Sequence, residues 1–259
     1  NAKLYKEFNI TPVINNMREA HKFIEIFHQT HSAALQLNTG MNRLGLNQQA
    51  LFGNLDTINL LPLNLILSHL ACADDISNRE NITQKELFIE VCKTFPETRK
   101  SISASHGTLL GNDFHFDMVR PGIGLYGGIK NSELLNIIQI KVPVLQHFII
   151  DQYMQVGYNF TYKAKHRMTV ATLSMGYADG LPRILSNKGK LFYGKIPCPI
   201  IGRISMDLVT VDISHLPGIP EYLCMFSPDY QVDDFAKDCK TISHEVFVNL
   251  GERISRVYS

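Results

Sequence analysis

The chain has 259 residues, 45% of them hydrophobic and 19% charged, enough for one large globular domain or two smaller ones with real cores. Its formal net charge is +1 and its basic residues are scattered, which excludes a basic arm and points to neither nucleic acid nor membrane as a partner. Five cysteines without a C-x-x-C pair read as the reduced thiols of a cytoplasmic protein, no metal cluster is expected, and no apolar run reaches the ~20 residues that cross a bilayer.

In chain order, Asn1–Tyr5 shows neither an initiator Met nor a signal pattern, and reads as if the chain begins within a longer protein. Ile10-Thr11-Pro12-Val13-Ile14 predicts a strand, and Met17, Ala20, Phe23, Ile24 and Phe27 predict a helix over 17–29. Residues 33–37 and 65–70 are strand-like. Thr83 is placed to cap a helix carrying Leu87, Phe88, Val91 and Phe95, and strands follow at 100–105 and 118–120. Strands alternating with helices imply a parallel α/β sheet, open or closed. Beyond Gly128 the helical period fades into short apolar runs at 142–145, 169–173, 199–201 and 208–213, as in a mainly antiparallel β domain. A helix or two is expected over 233–250. The boundary falls near 128–136, giving domains 1–130 and 131–259. A closed (β/α)8 barrel takes ~31 residues per unit, so five strands before residue 128 would leave three units, ~90 residues, upstream.

The stretch Gly122-Ile123-Gly124-Leu125-Tyr126-Gly127 formally matches the dinucleotide fingerprint G-x-G-x-x-G. That fingerprint needs a strand before it and an apolar helix after it. Here Pro121 precedes the first glycine and the polar Ile129-Lys130-Asn131-Ser132 follows the last one, so the context fails. One alternative is a plain tight turn. The better one is a phosphate site of backbone N–H groups at a barrel strand end, with Arg120 just ahead of it.

Five motifs then occur in order: Thr39-Gly40-Met41-Asn42-Arg43-Leu44-Gly45, Ser68-His69-Leu70-Ala71-Cys72-Ala73-Asp74, Arg120 to Gly127, Gly176-Tyr177-Ala178-Asp179-Gly180-Leu181-Pro182-Arg183 and Gly202-Arg203-Ile204-Ser205-Met206-Asp207. From about Ile10 to the C-terminus the chain resembles the alanine racemases, isomerases that use pyridoxal phosphate (PLP). The resemblance implies a (β/α)8 barrel, of which this chain holds the later units, followed by an antiparallel β domain. It also implies a homodimer with shared active sites and two-base proton transfer at the α-carbon of a PLP-bound alanine, supplying D-alanine for peptidoglycan.

On that resemblance Tyr158 is the base for L-alanine, His69 assists it across a dimer interface, and Arg120 faces the cofactor's ring nitrogen. A phenol with a pKa of ~10 needs such help near neutrality. An arginine holds its proton and so leaves the ring nitrogen bare, weakening the electron sink against side reactions. Arg43 matches the residue that binds the substrate carboxylate, for which a planar two-pronged donor is suited. Met206 offers its backbone N–H to the same group. Ser105, Gly122 and Ile123 match phosphate-binding positions, Tyr177 a second active-site tyrosine, and Asp74, Arg183, Arg203 and Asp207 a polar access corridor. Taken singly, each has an ordinary use: a core histidine, a strand-end ion pair, a loop arginine, a packing methionine.

The chain departs from the family in three places. No Lys-Ala-Asn-Ala-Tyr-Gly-His-Gly-like segment carries the PLP-anchoring lysine, which agrees with the strand count. Gln36 stands where many relatives have a lysine; it can hydrogen-bond Arg43 but brings no negative charge. Ala104 replaces the Asn of the usual Asn-Ser pair before Ser105. Two other readings stay open: a PLP-dependent racemase of serine or of broad specificity, and a truncated non-catalytic homologue.

Overall fold

The computed structural model describes residues 2–28, 30–131 and 134–258. Asn1, Ser132 and Gln29, the last residue of the expected helix over 17–29, lie outside the described residues. The chain divides into two compact units, Asn1–Gly122 and Ile123–Ser259, each with its own hydrophobic core.

The first unit alternates helices with parallel strands. In order come α1 (Ala2–Glu7), β1 (Val13–Ile14), α2 (Met17–Phe27), β2 (Ala33–Gln36), α3 (Gln48–Phe52), α4 (Leu55–Ile58), β3 (Leu63–Leu67), α5 (Glu80–Cys92), β4 (Arg99–Ser101) and α6 (Ser105–Thr108). The strands pair β1-β2-β3-β4, all parallel. Ala33, Ala34, Leu35 and Ile66 are fully buried, as in strands covered on both faces. Helix α2 starts where Asn16 Oδ1 accepts the Glu19 N–H (2.9 Å) and the Glu19 carboxylate accepts the Asn15 N–H (2.7 Å). These two bonds satisfy donors that a helix start leaves orphaned. Ala20, Phe23 and Phe27, three and four residues apart, carry its apolar face into the core.

Several expected elements shrink or shift: the strand expected at 65–70 runs Leu63–Leu67, and the one at 100–105 runs Arg99–Ser101, with Ser105 already in α6. The strand at 10–14 contracts to two residues, because Pro12 accepts from the Ala34 N–H (2.9 Å) but has no N–H to return. Helix α5 begins at Glu80 rather than at a Thr83 cap: Asn78 Oδ1 takes the Glu80 N–H (3.0 Å), and Thr83 Oγ1 turns back to Arg79 O (3.4 Å). The strand at 118–120 reduces to one parallel bridge between Ala104 and Arg120. Arg120 N–H still donates to Ser103 O (2.9 Å), but the Gly122 N–H, next on that side, goes to the Ser105 hydroxyl (2.8 Å) and the ladder stops.

The second unit holds β5 (Lys141–Ile150), β6 (Gln155–Val156), β7 (Tyr162–Lys163), β8 (Met168–Leu173), β9 (Lys190–Tyr193), β10 (Ile196–Pro199), β11 (Val209–Asp212) and β12 (Tyr222–Cys224), then α7 (Val232–Asp238) and α8 (Ser243–Val248). Six strands form one antiparallel sheet in the order β10-β9-β12-β5-β8-β11, and β6 pairs with β7 apart from it. An Ile200–Val211 bridge, with the Ile201 N–H on Thr210 O (2.9 Å), brings the two edge strands together, so the sheet curls back on itself. Strands β6, β7, β9 and β12 were not among the expected ones. Val232, Phe235, Ala236 and Val246 of the two helices pack into the core. Among the described residues no helix is long and apolar enough to cross a membrane.

Candidate active site

Because the strands of the first unit are parallel, their C-terminal ends share one edge, and the loops leaving that edge line a cavity of about 120 Å³. Gln36 reaches it from the end of β2 and Leu37 from just past it, Ser68 and His69 from just past β3, and Arg120 from the bridge beyond β4. Arg120 is half-buried and tightly held. Its Nη1 donates to Ser101 Oγ (2.5 Å), its Nη2 to Ser68 O (2.6 Å), and the same Nη2 lies 3.5 Å from His69 Nδ1. Burial lowers the His69 pKa from 6.5, and the positive charges of Arg120 and then Arg43 lower it further. The imidazole is therefore neutral near pH 7, with Nδ1 facing a donor and the proton on Nε2. Burial also lowers the Arg120 pKa, though a guanidinium starts so high that it stays charged.

Arg43 sits exposed on a loop that Asn38 and Gly45 fold back over the end of β2. Asn38 Oδ1 accepts the N–H groups of Gly40 (3.1 Å) and Asn42 (3.0 Å). Gly45 takes φ +102° with its Cα against Leu37, where a Cβ would lie 2.7 Å from the Leu37 carbonyl carbon. A Leu37–Leu46 bridge closes the loop and leaves Arg43 on the cavity wall. Gln36, an amide able to hydrogen-bond Arg43, donates to Leu37 O (3.3 Å).

Ser105 begins α6, and its Oγ accepts the Gly122 N–H (2.8 Å). Around Gly122 a Cβ would meet no heavy atom within 4 Å, so its backbone stands open on that flank. A hydroxyl paired with a glycine backbone at a strand end is a polar set that fits a phosphate. Arg120 a few residues upstream fits the ring that carries it. No lysine lines the cavity, so what the described residues offer PLP is hydrogen bonds and charge. Ile123 is buried in a 3-10 turn, Ile123–Tyr126, and its carbonyl accepts the Gly128 N–H (3.0 Å). The glycine stretch is thus a turn, with neither strand before it nor helix after it.

In the second unit Tyr158 is 69% exposed. It follows Gly157 (φ +74°), whose missing Cβ would lie 3.2 Å from Arg203 N, so the Tyr158 and Arg203 segments run side by side. Tyr177 and Met206 also meet: the Tyr177 N–H donates to Ser205 O (3.0 Å) and the Ala178 N–H to Met206 O (3.0 Å). Gly176 permits this approach, since a Cβ there would fall 2.2 Å from Met206 O. Asp207 pairs with Arg253 (2.8 Å), which also grips Asp179 (2.9 Å). Asp74 and Arg183 are exposed. The sequence reading missed Arg253, Ser101 and the buried Thr39, Ser68 and Gln84; a glutamine in the apolar stripe of α5, four residues before Phe88, was the available signal.

A parallel α/β unit with a cationic, histidine-bearing strand edge, followed in the chain by a curled antiparallel β unit, agrees with the class the resemblance implies: PLP-dependent racemases with a barrel and a β domain. The family models described as "Alanine racemase, N-terminal domain" and "Alanine racemase, C-terminal domain" match residues 1–130 and 137–258. A protein named alanine racemase from Cereibacter sphaeroides is 40% identical over 259 residues, covering 98% of this chain and 72% of that one. Another from Rickettsia akari is 38% identical over 264 residues, covering 97% and 73%. Among solved structures, the alanine racemase of Bartonella henselae with covalently bound pyridoxal phosphate superimposes with a TM-score of 0.91 at 34% identity, over 99% of this chain and 75% of that one. The chain belongs to the alanine racemase family.

Proposed function

We propose that this protein interconverts L-alanine and D-alanine with PLP as cofactor, supplying D-alanine for peptidoglycan, and that it works in the cytoplasm as a homodimer. The observation that carries the reading is the Arg120 guanidinium, fixed by Ser101 and Ser68 and set 3.5 Å from His69 Nδ1 on the edge that also bears Arg43. When bound, PLP supplies the electron sink that makes the α-proton of an amino acid removable.

The chain's own residues supply the rest. Ser105, Gly122 and Ile123 would hold the phosphate, and Tyr177 takes the part of a second active-site tyrosine. Arg120 faces the ring nitrogen. Arg43 binds the substrate carboxylate through its planar fork, joined by the Met206 N–H of a second copy. Tyr158 of that copy takes the α-proton of L-alanine onto its phenolic oxygen. With Nδ1 against Arg120, His69 presents Nε2–H to that oxygen and favours its deprotonated form. Inversion needs a second base on the opposite face, and no lysine among the cavity's lining residues provides it. Tyr158, with 69% of its surface exposed, is free to serve a second copy.

The decisive experiment compares racemisation of alanine, serine and lysine by the purified native protein. Alanine is expected to have the highest kcat/KM. Faster turnover of serine or lysine would favour a different substrate, and absent turnover together with absent PLP absorbance would favour a non-catalytic homologue.

A further inference from the structure

Helix α5 carries a buried amide that reaches the catalytic edge from behind. Gln84 is 3% exposed, and its side chain makes three hydrogen bonds. Oε1 accepts the Ala71 N–H (2.8 Å), Nε2 donates to His69 O (3.1 Å), and Nε2 also lies 3.3 Å from Thr39 Oγ1. The amide's orientation is fixed by its partners, because an N–H can only donate and a carbonyl can only accept. Binding the C=O of one residue and the N–H two residues on is what a neighbouring strand does along an extended edge.

Such a substitute is needed here. Strand β3 ends at Leu67, and the Ser68 N–H still finds Ser101 O (3.0 Å), but among the described residues no strand pairs with the backbone of 69–71. Gln84 extends the ladder by two residues. Thr39 orients the amide, and is itself buried against Ser68 Oγ (2.7 Å), which donates to Leu37 O (2.9 Å). One turn earlier, Asn81 Nδ2 donates to Cys72 O (3.2 Å) and Asp75 O (2.9 Å), so the same helix face holds the whole loop that leaves His69.

We propose that Gln84 is a positioning residue for the reaction: it sets the backbone of His69 so that the imidazole stays between Arg120 and the tyrosine base. The inference rests on the reading of His69 as an active-site residue. A ring displaced by about 1 Å loses its hydrogen-bond geometry, which costs on the order of tenfold to hundredfold in rate.

Two measurements test this. In the unmodified protein, Ala71 is exposed, so its N–H owes any protection to Gln84. Slow amide exchange there is expected, and exchange at the rate of a free peptide would overturn the proposal whether or not any variant folds. In the holoenzyme, Gln84→Met keeps the length of the side chain and removes all three bonds. Its kcat is expected to fall about tenfold to hundredfold while KM for alanine moves by less than about threefold. In a His69→Gln background the same change is expected to add less than about a twofold further loss, since the two residues act as one unit. A native kcat in Gln84→Met, or losses that multiply in the double variant, would overturn it. If His69→Gln alone leaves kcat untouched, the fault lies with the reading of His69.

Discussion

At the scale of single residues, the site depends on one cation that is fixed and one imidazole that is neutral. Arg120 is bound on two sides, by Ser101 Oγ and Ser68 O, so its charge stays beside His69. The folded-state pKa of His69 lies below 6.5, so between the two pKa values the unfolded chain binds more protons than the folded one. Stability from this group is therefore complete above the unfolded pKa and is lost as pH falls from there through the folded value. The melting temperature is expected to drop on acidification below pH 6.5, and His69→Gln should flatten that part of the profile in thermal unfolding. Tyr158 carries the other residue-scale expectation. Tyr158→Phe should keep its PLP absorbance and lose about 10²- to 10⁴-fold in D-alanine formed from L-alanine, as for loss of a general base. Near-native turnover would remove Tyr158 from the mechanism.

At the scale of elements, strand ends and the loops beyond them do the positioning. Gly45 shows how little freedom such a loop has: φ is +102°, and any Cβ would press on the Leu37–Asn38 backbone at 2.7–2.8 Å. Gly45→Ala is expected to cost about 1–3 kcal/mol in unfolding experiments, the usual range for a strained backbone. It should also raise KM for alanine, because Arg43 lies two residues upstream. Unchanged stability would mean that the loop has another conformation. The same loop was readable as a motif, yet its partner network was not. The pattern around Phe88 and Val91 announced α5, while the buried turn of Gln84 toward His69 O depends on a helix packing over a strand end.

At the scale of the whole molecule, the dimer is a functional requirement of the proposed mechanism. If Tyr158 and Met206 serve the partner's Arg43 and Arg120, a Tyr158→Phe copy and an Arg43→Ala copy are each inactive but complement one another. In a mixture of equal parts, half the dimers are mixed and one of their two sites is intact, so about a quarter of native activity should return. No recovery after mixing and reassociation would place all the groups of one site in a single copy. The exposed Leu145, Phe148, Ile149 and Tyr158 of the second unit give that association apolar surface to bury.

The alternation of strands with helices, then of short strands, is carried by local chemistry and was enough to read the two-part architecture from the chain alone, while the cofactor came through the resemblance that the ordered motifs carry. Gly45 and Gly176 were visible as members of motifs, but that a Cβ would fall 2.7 Å from the Leu37 carbonyl carbon at the one and 2.2 Å from Met206 O at the other is decided by the fold. What the chain alone could not state is which groups touch. Arg120 meets the Ser68 carbonyl across 52 positions and Gln84 meets Thr39 across 45. Such contacts exist only once parallel register has stacked the strand ends, and a one-residue slip would turn each side chain to the opposite face. The glycine stretch after Arg120 shows the division: its flanks, Pro121 before and a polar run after, already spoke against a dinucleotide helix, while the 3-10 turn and the contact of Gly122 with Ser105 exist only in the folded backbone.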